Sequence, residues 1–277
     1  MTPLEFVAAA FASAVGAGLL GSVLGLGGGV LLVPVLTLGL HVDIRYAIGA
    51  SILSVIATSS GTAAFYLKAR LTNVRLATFL ELATTLGAIT GAVLAGAISG
   101  RWLFVAFGAA MLLSAVAVLA LRRERRPPEP DPLADLLKLH GSYRDGRTGD
   151  EVSYRVARPL TGLSLMYVAG ALSGLLGIGS GTLKVPAMDV GMRLPLKVSA
   201  ATSSFMIGVT GAASAVVFFA RGDIDPFLAG PVCFGVVLGS GLGARALPRL
   251  PAPLLRVLLV TVLLGTAVQM LWRGVAG

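Results

Sequence analysis

The residues of this chain with chemistry to offer are Lys184, Glu81 and a repeated set of hydroxyls, because each falls inside an otherwise apolar run. Lys184 sits in the run 182–192, where a cation is costly unless it meets a partner or a ligand. It can attract a small anion, pair with Asp189, or reach for the membrane surface. Glu81, in the run 75–98, is a candidate proton carrier, with pairing to Arg75 as the alternative. Thr58 and Thr210 lie in mid-run, with Ser59, Ser60, Thr62 and Ser214 close by. Hydroxyls there either bind the oxygens of an anion or bond back to a helical carbonyl. Ser51, Thr202, Ser203 and Ser204 come early in their runs, where they cap a helix or line the same site.

Two Gly-rich turns stand beside these groups. Gly25-Leu26-Gly27-Gly28-Gly29 precedes the run 29–40, and Gly177-Ile178-Gly179-Ser180-Gly181 precedes 182–192. Glycines let the backbone turn sharply, and the helix start that follows presents free N–H groups that favour an anion. Gly25, Gly27, Gly28 and Gly29 with Gly177, Gly179, Ser180 and Gly181 are therefore candidates for a small anion cradle. The structural alternative is close packing around a proline kink at Pro34 or Pro186. A phosphate loop fits poorly, since no Gly-Lys-Ser/Thr ending follows and no strand precedes.

The two turns belong to a repeat. Pro34 returns as Pro186, and the offset 186 − 34 = 152 carries Gly18 to Gly170, Ser51 to Ser203, Thr58 to Thr210, Gly87 to Gly239 and Gly91 to Gly243 without a gap. Lys184 and Glu81 stand outside it, their counterparts being Leu32 and Cys233. Paired membrane repeats around a shared site are a common basis for alternating access.

Composition identifies the solvent. With 56% hydrophobic and 13% charged residues and a mean hydropathy of +0.88, the chain reads as an all-α integral membrane protein in contact with the lipid bilayer. The net charge of +9 comes from Lys and Arg in loops and at span ends, a pattern of topology and not of nucleic-acid binding. A single Cys233 excludes an intramolecular disulfide and a Cys-based zinc cluster. Met1 to Glu5 has no basic region, so the first apolar run reads as a permanent helix.

Eight apolar runs, 4–24, 44–67, 75–98, 102–121, 159–177, 198–220, 226–247 and 254–272, are each near the ~20 residues that a helix needs to cross a bilayer. The two short runs after the Gly-rich turns would be roughly 16–18 Å long as helices, so they are broken or re-entrant. The chain divides into a first transmembrane repeat, 1–121, a basic linker, 122–158, with one short helix around Leu133 to Leu139, and a second repeat, 159–277. If each short run counts as a crossing, the repeats are inverted. Lys68, Arg70, Arg75, the arginine-rich linker, Arg193, Lys197, Arg245, Arg249 and Arg256 then share the cytoplasmic side. His41, Asp43, Arg45, Arg101, Arg221, Asp223, Asp225 and Arg273 share the other.

The Gly25–Gly29 turn with Pro34, Ala47 to Ser51, the loop Lys68 to Val74, Gly177 to Gly181, Ala200 to Ser204 and Arg221 to Asp225 together resemble the TauE/SafE sulfite exporter family. That resemblance covers nearly the whole chain outside the linker. It implies a multi-pass protein of a bacterial-type inner membrane that moves small oxidised sulfur anions such as sulfite or sulfoacetate outward.

The expected function is thus secondary transport of a small anion, with proton coupling through Glu81 as an option and with no cofactor. No residue pattern supports a metal site, a catalytic pair or a nucleotide-driven pump. Other readings are uptake, another organic anion, a passive anion channel, and a membrane enzyme or assembly factor acting on lipid-linked substrates. Gly91 and Gly243 are candidates for helix packing within the chain or in a homodimer.

Overall fold

Capping residues and prolines set the helix boundaries. The computed structural model describes residues 2–120, 131–145, 148–177 and 181–276. Helix α1 (Pro3–Leu24) opens on a capping box between Thr2 and Glu5 and ends at Gly25, whose φ of 73° is the left-handed conformation that glycine adopts without strain. Asp43 caps α3 (Ile44–Lys68), and Asn73 caps α4 (Val74–Ala95) by accepting from the Leu76 N–H. Helix α5 (Gly100–Ala120) completes the first half.

Between α1 and α3 lies α2 (Gly29–Pro34), six residues long and followed by a π-helical turn over Val35–Gly39. The break has a local cause. Proline supplies no N–H to its own helix, and beyond Pro34 the ladder widens so that Leu40 N–H donates to Val35 O. The second half repeats the pattern with α7 (Pro159–Leu176), α8 (Gly181–Pro186), a π-helical turn over Ala187–Gly191, α9 (Leu196–Ala220), α10 (Pro226–Ala246) and α11 (Ala252–Ala276). Each element from α7 to α11, α8 and its π turn included, starts 152 residues after one of the first half, except that α1 is longer at its start. Eight of the described helices are long and apolar enough to cross a membrane.

Helix pairing follows the same correspondence. Helix α1 packs on α10, and its counterpart α7 packs on α4; α5 packs on α11, and α3 crosses α9 in the middle. Glycines make the closest approaches. A side chain at Gly87 or Gly91 would run into the Tyr167 or Ala171 carbonyl of α7, and one at Gly239 or Gly243 into the Val15 or Leu19 carbonyl of α1. Gly91 and Gly243 thus serve packing within the chain.

The linker contributes α6 (Pro132–Leu136), shorter than the run Leu133 to Leu139, and an antiparallel hairpin of β1 (Gly141–Arg144) and β2 (Glu151–Tyr154). The run of linker arginines from Arg122 to Arg126 lies outside the described residues. Asn73 Nδ2 holds the hairpin, donating to Leu139 O at 2.7 Å and to the Tyr154 hydroxyl at 3.1 Å. Burial pushes the Tyr154 phenol above its ordinary pKa, and the Asn73 bond opposes that shift.

Hydrogen bonds and ion pairs gather the loops into two sets. In one, Arg45 bonds Ile98 O, Arg221 bonds Ala92 O and Asp223, and Arg101 bonds Gly274 O. In the other, Asn73 meets the hairpin, Lys197 reaches Asp145 and Pro248 O, and Arg256 pairs with Asp189. Helix α3 runs from the first set to the second over 25 residues, about 37 Å at the α-helical rise.

Candidate functional site

The first Gly-rich turn meets Gly177 and Gly181, the described residues at the two ends of the second, and each half holds a residue of the other. Ser51 in α3 donates to Gly177 O at 2.7 Å, and its counterpart Ser203 in α9 donates to Gly25 O at 2.8 Å. Gly27 and Gly28 have φ of 79° and 75°, which a residue with a Cβ rarely adopts. Thr58 fastens the same turn, donating to Gly27 O at 3.1 Å and back to Ser54 O at 2.8 Å. A side chain at Gly29 would meet the Ser51 hydroxyl, and one at Gly181 the Gly25 carbonyl. The glycines therefore bring the starts of α2 and α8 together, and in α2 the Leu31 and Leu32 N–H groups donate to Gly28 O. Gly179 and Ser180 lie outside the described residues.

Lys184, on α8, is fully buried. Its Nζ donates to Thr210 Oγ1 at 2.6 Å and lies 3.6 Å from Glu81 Oε2. The Thr210 hydroxyl in turn donates to Glu81 Oε1, which also accepts from Thr85 at 3.2 Å. Glu81 Oε2 faces the ammonium without a hydrogen bond of its own. One cation, one carboxylate and one hydroxyl thus form a largely buried cluster in which opposite charges offset the cost of burial. Neither alternative partner expected from the chain is used. Asp189 pairs with Arg256 at 2.9 Å, and Arg75 reaches Lys138 O.

The other expected contacts divide between these two arrangements. Thr202 accepts the Asn73 N–H at 3.1 Å and so fastens the α3–α4 loop. Ser59 donates to Phe205 O, while Ser60, Thr62 and Ser214 bond back into their own helices. Ser204, together with Thr182 on α8, has a buried hydroxyl without a hydrogen-bond partner. The Lys184–Glu81 association was missed because both residues depart from the repeat. The signal for it was charge balance, since a lone cation and a lone anion in apolar runs need each other. Among the described residues no group of three or more His, Cys, Asp and Glu side chains could hold a metal ion.

Comparisons with known proteins agree with this architecture. The family model described as sulfite exporter TauE/SafE matches residues 10–270. A Bacillus subtilis (strain 168) protein called "Probable membrane transporter protein YunE" is 27% identical over 270 residues, covering 94% of this chain and 95% of that one. A "Probable membrane transporter protein" of Xylella fastidiosa (strain 9a5c) is 27% identical over 262 residues, covering 92% of each. No solved structure matches. With the match running from α1 into α11, the chain belongs to the TauE/SafE sulfite exporter family and is a multi-pass membrane transporter.

Proposed function

We propose that this transporter exports small sulfur-containing oxyanions, sulfite or sulfoacetate among them, across the cytoplasmic membrane. The observation that carries the reading is the buried Lys184, placed on the α8 segment that starts at the junction of the two Gly-rich turns. Its ammonium attracts the anion, and the Thr210 hydroxyl turns from Glu81 to an anion oxygen. The Gly29 and Val30 amides at the start of α2 supply further donors.

Charge balance gives Glu81 its part. Lys184 and an ionised Glu81 together are neutral, so an arriving monoanion leaves one negative charge in a low-dielectric site. A proton on Glu81 removes it. The anion and a proton therefore bind together, and export runs down the anion's own gradient, faster when the side it leaves is acidic.

The same reading makes the repeats inverted, with the basic loops in the cytoplasm. Support comes from the two sets of loop contacts: Arg75, Lys197, Arg245, Arg249 and Arg256 fall with the linker, and Asp43, Arg45, Arg101, Asp223 and Arg273 fall at the opposite end.

The test is flux of sulfite and of sulfoacetate in proteoliposomes of the purified protein, with and without an imposed pH gradient. Saturable flux with counterflow, lost in Lys184→Met, supports the carrier. Flux without saturation or counterflow makes it a channel, and no flux of either anion in folded protein removes the substrate assignment.

A further inference from the structure

The ends of the two broken helices differ in a way the repeat does not predict. Beyond α2, a cavity of about 460 Å³ opens between the π turn and the starts of α3 and α5, lined by Thr37, His41, Asp43, Arg101, Phe104 and Arg273. The repeat offset carries Thr37 to Asp189 and Phe104 to Arg256, since 189 − 37 = 152 and 256 − 104 = 152. At the second pair of positions a 2.9 Å ion pair joins the π turn after α8 to α11. The Asp189 side chain is 3% exposed, and that of Arg256 34%. The hairpin end of the linker lies over this closure, with Ala157 N–H donating to Met192 O and Lys197 paired to Asp145.

We infer that Asp189 and Arg256 form a gate that closes the cytoplasmic end of the transport path, and that the Arg101–Arg273 cavity is the open vestibule through which a small anion leaves at the opposite face. This rests on the transport reading above. The electrostatics suit both parts. A buried carboxylate without its cation is strongly unfavourable, so the pair is stable when shut and separates only where water reaches both groups. Thr37 and Phe104 carry no charge, so these two positions form no such latch at the other end, where the Arg221–Asp223 pair stays within the α9–α10 connection. The vestibule carries Arg101 and Arg273 against a single Asp43, whose Oδ1 already caps α3, and it therefore attracts anions.

Thiol labelling tests the gate without any substrate. In full-length protein with Cys233→Ser, reporters Thr37→Cys and Met188→Cys are exposed in proteoliposomes to a membrane-impermeant maleimide from either face. Thr37→Cys, only 5% exposed but on the wall of the cavity, should react, and Met188→Cys, fully buried beside Asp189, should be protected. Adding Asp189→Asn or Arg256→Gln should speed Met188→Cys labelling by about tenfold or more and slow that of Thr37→Cys. Equal labelling of the two reporters with the pair intact, or an unchanged rate when it is broken, overturns the gate. Should a single variant fold poorly, the exchange Asp189→Arg with Arg256→Asp decides: restored protection supports the gate, and open labelling of folded protein overturns it. For the vestibule, Arg273→Gln should raise the half-saturating sulfite concentration about two- to fivefold, and unchanged saturation removes its role. Labelling as expected without anion flux would sink the substrate reading and leave the gate standing.

Discussion

Ser51 donates a 2.7 Å hydrogen bond to the carbonyl of Gly177, which lies in the other half of the chain, and Ser203 returns the same bond to Gly25. Each half thereby positions the Gly-rich turn of its partner, so the centre of the protein exists only when both halves are assembled. Removing one hydroxyl leaves a buried carbonyl unpaired, at a cost of about 1–3 kcal/mol. Ser51→Ala and Ser203→Ala should each lower the melting temperature in detergent. The double variant should depart from additivity, because the two turns touch each other. Additive losses, read from the same melting curves, would mean that the two latches act independently.

Lys184 and Glu81 should behave as a coupled pair. Lys184→Met strands a carboxylate and Glu81→Gln strands an ammonium, each strongly destabilising, whereas the double variant leaves no buried charge. The expected outcome is a double variant closer to the parent in melting temperature than either single one, yet inactive in flux. If the double variant is the least stable of the three, the pair is not the electrostatic unit described above.

Glu81→Gln also isolates the proton. It preserves the size of the side chain and an acceptor oxygen for Thr210 while removing the titratable group. Flux in the parent should rise as the side the anion leaves is made acidic, and flux in Glu81→Gln should show no such dependence. A pH response that survives the substitution would place the proton elsewhere.

Helix α10 offers an internal control for the packing glycines. A Cβ at Gly243 would collide with Ser22 and the Leu19 carbonyl, but one at Gly241, two residues away, meets nothing within 4 Å. Gly241→Ala should be neutral or stabilise by up to about 1 kcal/mol through helix propensity. Gly243→Leu should force α1 and α10 apart and abolish the folded peak in size-exclusion chromatography.

Asn73 links the α4 start to the linker. Asn73→Ala loses the helix cap, about 1 kcal/mol, and both bonds to the hairpin region. Hydrogen exchange should rise across Leu139 to Tyr154 while the amides in the middle of α4 stay protected. Unchanged exchange in the hairpin would show that its apolar contacts suffice.

Much of the architecture was legible in the chain because a membrane demands it. Apolar runs long enough to cross, the Gly-rich turns and the two prolines required eight long helices and two broken ones, since backbone groups in lipid must be paired within helices. The hairpin was less legible. Its signal, the Asp145-Gly146 and Gly149-Asp150 steps between Tyr143 and Tyr154, is confined to a short polar stretch.

The chain by itself determined the solvent, the repeat and which polar residues fall inside apolar runs, because these depend on composition and periodicity. Only the tertiary structure decided which of them meet. Lys184 chose Glu81 and Thr210 over Asp189, and Asp189 chose Arg256 across 67 residues. The reason is geometric. Pairing of buried charges depends on which helix faces cross and at what depth, and local sequence spacing specifies neither.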